Sequence, residues 1–446
     1  MRRISLFLTT ALCSVGAVSA LSPSAQAEIV LMGNDPAGWV FSVDGFVNVF
    51  VTNSTSDSAP SKSGRTYRNV AYSIGSGSSN AGNGMHVISG FVPETFGFNV
   101  KSPDLDGNKL TARLSLQTSV NNPGSHNWDG DGASGGTVGL IREAFATYGG
   151  KWGEVQGGKS LGIFGGQAIM NDMYIFGVGA GLNSKGQGYN ALNTTVGGIG
   201  YGYTYAGWNG NVRYTTPAFA GGFKATAGIF EPNAIGSDAS NAVSGTKTTV
   251  PRFEAGVNWA GKLGSAPTAL YANGTWQQAG LTGTPTLITG QTYTGNAKNV
   301  YVFGGEIGGK VSIGSVDLVA HGYYGEGMGL SGAQLSFDSI DAMGNTKAGY
   351  GFYAQAGYNF GQGTTLSARY GASYVDQTKY EKAESLATAS TVTYTMTSKD
   401  MAGVQLRHEI NKWIRVVGEY NYVTNNWSDG ASQKEQIGAL GVVVTY

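Results

Sequence analysis

The sequence predicts an all-β chain: a transmembrane antiparallel β-barrel of about 16 strands with a long, inward-folded third loop. Three observations predict it. Segments of strand length alternate apolar and polar residues with a period of two. The gaps between them are long and short in strict turn. The composition is rich in Gly and Tyr and poor in charge, with 72 Gly, 24 Tyr and only 13% charged residues in 446.

That composition excludes other classes. A soluble domain carries about twice the charge. A disordered chain lacks an aromatic content of 11%. Collagen needs a strict Gly period, which is absent. No self-similar unit signals a solenoid or propeller. The chain opens with a secretory signal over residues 1–27. Arg2 and Arg3 form the basic start, Ile4 to about Ala20 the apolar run, and Ala25-Gln26-Ala27 the small-x-small cleavage pattern. The mature chain is expected to be one barrel over 28–446. Its only Cys, Cys13, falls in the signal, so no disulfide is expected. No later run is long and apolar enough for a transmembrane helix. Without Arg2 and Arg3 the chain has 26 Lys+Arg against 28 Asp+Glu, a net charge of −2. That gives no case for a nucleic-acid partner.

Strands begin at Trp39. The first is expected from Trp39 to about Thr52 and the second from Val87 to Lys101, with Phe96, Phe98 and Val100 opposite Thr95, Gly97 and Asn99. After the turn at 104–108, Leu110, Ala112, Leu114 and Leu116 oppose Thr111, Arg113, Ser115 and Gln117. In 252–259, Arg252, Glu254, Gly256 and Asn258 share one face and Phe253, Ala255, Val257 and Trp259 the other. In 366–374, Leu366, Ala368, Tyr370, Ala372 and Tyr374 oppose Ser367, Arg369, Gly371 and Ser373. A charge facing lipid at mid-depth costs a few kcal/mol, so the face with Arg and Glu is the wet one. Long gaps fall near 53–85, 121–138, 161–208, 231–250, 279–297, 326–347, 376–396 and 425–433. Short ones near 102–108, 150–152, 217–218, 261–267, 310–314, 361–363 and 410–412 separate them. One end of the barrel therefore carries loops and the other only turns. The last strand ends on an aromatic, with Leu440, Val442, Val444 and Tyr446 on one face. It looks like the signal read by barrel assembly machinery.

The stretch 161–208 is far too long for an ordinary connection inside a compact body. It is expected to fold inward and narrow a pore. Parity puts Arg113, Arg213 and Arg369 on the wet wall. For Arg142 parity is less clean, because Glu143 shares the other face with Phe145. Asp172 is the acid of the inward loop. Tyr174, Phe176, Tyr189 and Tyr201 lie in or beside that loop and would either pin it to the wall or stack on solutes.

These stretches resemble the general porins of Gram-negative bacteria. The resemblance is carried by Arg142-Glu143-Ala144-Phe145-Ala146-Thr147-Tyr148, then Trp152-Gly153-Glu154-Val155-Gln156-Gly157-Gly158-Lys159. Asn209-Gly210-Asn211-Val212-Arg213-Tyr214-Thr215-Thr216-Pro217-Ala218-Phe219-Ala220-Gly221 and Thr95-Phe96-Gly97-Phe98-Asn99-Val100 extend it. It implies a 16-stranded barrel, a homotrimer and a third loop in the lumen. It maps two wall arginines onto Arg142 and Arg213, puts Thr95 where a third would stand, and matches Phe164-Gly165-Gly166 on the loop. The neighbouring acidic positions are Ile163 and Gln167 here, so the field across the pore looks weakened.

The expected function is an outer-membrane porin: a water-filled channel for passive diffusion of ions and small hydrophilic solutes. The alternative is a channel selective for sugars or aromatic solutes. Expected partners are a homotrimer, outer-membrane lipid and lipopolysaccharide, and the assembly machinery through Tyr446. No enzyme activity, cofactor or metal is expected. His86, His126, His321 and His408 form no metal-spaced cluster. Gly177-Val178-Gly179-Ala180-Gly181 lacks the strand–helix setting of a nucleotide loop. Asp129-Gly130-Asp131-Gly132 lacks the closing Glu of a calcium loop.

Overall fold

The computed structural model describes residues 28–33, 38–68, 71–72, 84–120, 140–181, 183–184, 195–236, 244–282, 299–330, 338–386 and 392–446. The expected signal, the 129–132 fragment, His126 and Tyr189 lie outside the described residues. Sixteen antiparallel strands form the barrel: β1 (Val40–Ser56), β2 (Glu94–Lys101), β3 (Lys109–Thr118), β4 (Leu140–Gly150), β5 (Gly153–Leu161), β6 (Trp208–Thr215), β7 (Phe223–Phe230), β8 (Arg252–Leu263), β9 (Ala266–Thr282), β10 (Asn299–Ile313), β11 (Val316–Glu326), β12 (Ala348–Gly361), β13 (Thr364–Val375), β14 (Met396–Glu409), β15 (Ile414–Trp427) and β16 (Ser432–Thr445). Each pairs with the next, and β16 returns to β1 with Val47 opposite Val444, so the sheet has no open edge. Ile29–Met32 lies beside Phe41–Val43 of β1, continuing the line of β16 beyond its end.

The faces of the strands invert the pattern of a soluble protein. Ile307 is 68% exposed, Leu440 62% and Val212 53%, all pointing outward. Inward-pointing Glu143, Gln156, Glu254 and Gln355 are buried. Burying apolar surface stabilises by about 25 cal/mol per Å², so this outer face needs lipid to cover it. Aromatic belts edge it at both ends. Near the short turns Trp152 stacks on Tyr214 at 6.2 Å. At the opposite end Trp276 sits between Phe253 (5.8 Å) and Tyr301 (6.2 Å). Such rings keep one side apolar and one polar edge wet.

Local chemistry sets the connections. In the β2–β3 turn Asp106 and Gly107 both have positive φ (53° and 79°). That is the geometry a two-residue hairpin demands, and Asp-Gly meets it. Leu105 and Asn108 close the turn with N–H···O bonds of 2.9 and 3.0 Å.

Four expectations are corrected. The second strand is not continuous from Val87: it is split into Gly84–Ile88 and β2. Pro93 has no N–H to give, and the Asn48 side chain replaces the missing ladder. Its Nδ2 donates to the Val92 carbonyl (2.7 Å) and its Oδ1 accepts from Gly90 N–H (2.6 Å). The last gap, expected long over 425–433, is a short turn. Asn425 and Asn426 stay in the ladder opposite Gln433 and Ser432, because polar residues at a barrel rim still pair. The connection expected at 217–218 runs from 216 to 222 and is closed by Phe219–Phe223 bonds. Finally, Arg142 is the extra residue of a β-bulge. Ser115 faces Glu143 and Leu116 faces Ile141, so parity is reset there and Glu143 points inward.

Candidate functional site

Residues 162–181 and 195–207 run from the end of β5 to the start of β6, and their hydrogen bonds reach inward-facing groups around the barrel wall. Gly165, with φ +79°, turns the chain into α1 (Gly166–Asn171). Phe164 is fully buried with Val302, Tyr323 and Met328.

Four wall glutamates hold the backbone of this segment. Glu254 on β8 accepts from the N–H groups of Ile163 (2.7 Å) and Phe164 (3.1 Å). Glu306 on β10 accepts from Gly165 N–H with both oxygens at 3.0 Å. Glu419 on β15 accepts from Val178 (3.1 Å) and Gly179 (2.7 Å). Glu435 on β16 accepts from Gly181 (2.8 Å). A buried amide needs such a partner, and a carboxyl oxygen supplies it. Gly177 is required for close approach: a Cβ there would lie 1.8 Å from Glu419 Oε2. Between the two ends, Met173 N–H donates to Gln355 (2.8 Å) and the Tyr353 hydroxyl donates to the Ala168 carbonyl (2.7 Å).

Asp172 is the centre of the segment. It accepts from Tyr174 N–H (2.9 Å), the Tyr203 hydroxyl (2.9 Å) and Gln355 Nε2 (2.5 Å). Arg369 on β13 lies 3.7 Å from it and 4.9 Å over the Tyr174 ring. Burial pushes the Tyr203 hydroxyl well above its ordinary range, and the negative charge of Asp172 pushes it further the same way. Tyr203 therefore stays a proton donor to Asp172.

The structure brings Arg369 and Asp172 together, and places the other three arginines apart from them. Arg113 is held between Asp44 and Glu143, each at 2.8 Å. Arg213 donates to the Leu161 carbonyl (3.1 Å) and Gln156 (2.8 Å), anchoring the point where the segment leaves β5. Arg142, in its bulge, lines a cavity with Tyr205 and Trp208. Thr95 is buried and donates to the Pro93 carbonyl (3.3 Å). The aromatic side chains hold the segment in place. Tyr174 donates to Ser367 O (2.8 Å), Tyr201 donates to Asn425 (3.1 Å), and Phe176 meets Phe46 edge-on at 5.4 Å.

Sequence reasoning did not single out Asp44, Glu143, Glu306, Glu419 and Glu435. Strand parity was the available signal, since each is an acid on an inward position. Among the described residues no group of three or more His, Cys, Asp or Glu is placed to hold a metal.

A closed barrel with a lipid-facing exterior and a strap of chain hydrogen-bonded to its inner wall defines a transmembrane β-barrel of the outer-membrane kind. No family model and no curated protein matches the sequence. Among solved structures, the chain is similar to the outer membrane channel DcaP of Acinetobacter baumannii, with TM-score 0.62 and 15% identity over 92% of this chain and 99% of that one. It is also similar to the anion-selective porin from Comamonas acidovorans, with TM-score 0.54 and 13% identity over 92% and 100%. Salmonella typhi OmpF in complex with daunomycin gives 0.50 and 13% over 94% and 100%. The chain has the fold of the general porins of Gram-negative outer membranes.

Proposed function

We propose that this protein is an outer-membrane porin, a passive channel for ions and small hydrophilic solutes. The observation that supports it most is the inversion of faces in a closed barrel of 16 strands. A barrel of that size encloses an aqueous lumen unless something fills it. The segment 161–208 sets how much remains open, with Arg113, Arg142, Arg213, Arg369 and Asp172 contributing the charges along it. Phe164, Gly165, Gly166 and Tyr174 fix its position. The protein is exported by residues 1–27, inserted through the strand ending at Tyr446, and assembled as a homotrimer in lipid and lipopolysaccharide. The long loops face outward and the short turns the periplasm.

Planar-bilayer recording of purified protein tests this. Steady conductance steps are expected, with a reversal potential across a salt gradient that moves in Arg142→Ala. A protein that never conducts, and leaves liposomes closed to small solutes, is not a porin.

A further inference from the structure

The loop end of the barrel holds a second layer of chain, outside the inward segment. Ser373 on β13 and Asn425 on β15 bond that segment, accepting from Gly202 N–H (3.0 Å) and the Tyr201 hydroxyl (3.1 Å). Val375 and Trp427 follow them by two positions toward the loops, so they too point inward, into the mouth. Tyr67, Leu330 and Met396 are buried against them in one apolar cluster. The Leu330 carbonyl touches the inward segment: a Cβ on Gly200 would lie 2.8 Å from it.

The two halves of this layer are held differently. On one side Lys347 is buried between Asp338 and Glu381 of α2 (Lys379–Ser385), 2.6 Å from Glu381. Breaking such a buried pair is strongly disfavoured, so this half is fixed. On the other side, Arg65–Tyr67 pairs with Val392–Tyr394 over three residues only. Arg65 (3.0 Å) and the Tyr67 hydroxyl (2.8 Å) donate to one oxygen of Asp429 in the β15–β16 turn, and Lys62 lies 3.8 Å from it. The Arg65 side chain is 38% exposed and that of Lys62 56%, and ion pairs so exposed are worth little singly. Arg68, 2.8 Å from Glu384 of α2, joins the two halves. Further along the same chain, Ala71–Tyr72 pairs with Asn183–Ser184 of the inward segment.

Resting on the porin reading above, we propose that residues 62–68 are a lid over the outer mouth, latched shut by Asp429. The lid opens against the half fixed by Lys347, while the barrel and the inward segment stay in place. Entry from outside is then set first by the lid and only afterwards by the inward segment.

The test needs one pair of cysteines, and residues 28–446 contain none of their own. Thr66 and Thr393 stand opposite each other in the short pairing, and neither is buried. In planar bilayers, Thr66→Cys combined with Thr393→Cys should form a disulfide that holds the lid down. Ion conductance should be several-fold lower in oxidised than in reduced channels of one preparation. Each single variant should ignore the reductant. Asp429→Ala, which releases Arg65 and Tyr67, should conduct more than the wild type. Equal conductance of the oxidised pair, its disulfide verified by mass, and the reduced pair overturns the lid and leaves the channel intact. A pair that will not oxidise also overturns it, because the lid rests on that pairing. Wild-type conductance in Asp429→Ala overturns the latch. Failure of every form, oxidised or reduced, to pass ions overturns the channel reading itself.

Discussion

Glu306 and Ile307 are neighbours in β10 and live in opposite environments. Glu306 is buried inside the barrel, with both oxygens on the amide of Gly165 and Asn273 Nδ2 donating to it at 2.7 Å. Ile307 is among the most exposed apolar residues of the chain. The outer face asks only for hydrophobicity, because lipid is uniform. The inner face asks for particular partners, because a strap of chain crosses it with unpaired amides. A strand thus encodes a solvent preference on one side and an address on the other.

This contrast can be broken from either side. Asp172→Leu should have the largest effect. It removes the acceptor of three hydrogen bonds and leaves Arg369 buried without its counter-charge, a loss of about 3–5 kcal/mol. Urea unfolding of vesicle-folded protein measures it, and an unchanged midpoint would show the pair to be energetically idle. Ile307→Arg should cost about 2–4 kcal/mol in the same assay, as for a cation at the bilayer midplane. A cost near zero would mean that Ile307 faces water. Glu306→Ala leaves the Gly165 amide without an acceptor and should cost about 1–3 kcal/mol. Its signature is local: faster protease cleavage within 162–181 and noisier open-channel current.

The smallest effect belongs to the rim, which is neither lipid nor lumen. Burial alone would raise the Asp429 carboxyl, but the Ala431 N–H, the Tyr67 hydroxyl, Lys62 and Arg65 hold it below its ordinary 3.8. Its folded value is depressed. Its contribution is therefore present above about pH 3.8 and lost as pH falls through the lowered value. Acid should increase cleavage of the 57–68 loop in the wild type. In Asp429→Asn that loop should be cleaved at one rate at neutral and acid pH.

The outer half of the fold was legible in the sequence. Phe253, Val257, Tyr350 and Leu366 announce their side by parity, since a side chain at every second position must face the same solvent. The Asp106-Gly107 turn was legible for the same reason: its chemistry is local. Parity failed at Arg142, where one inserted residue resets the register, and a bulge follows from pairing with β3. It failed again at 425–433, where polar composition read as loop although those residues pair across the rim.

The sequence by itself determined that strands close around a lumen and which residues face the membrane. Both depend on an alternation that each strand carries in its own residues. Only the tertiary structure decided what fills the lumen. Glu306 meets Gly165 across 141 positions, and Glu419 meets Gly179 across 240. Nothing local to any of these four residues specifies its partner. The pairing exists because the barrel wall brings distant acids to where the inward chain lacks acceptors.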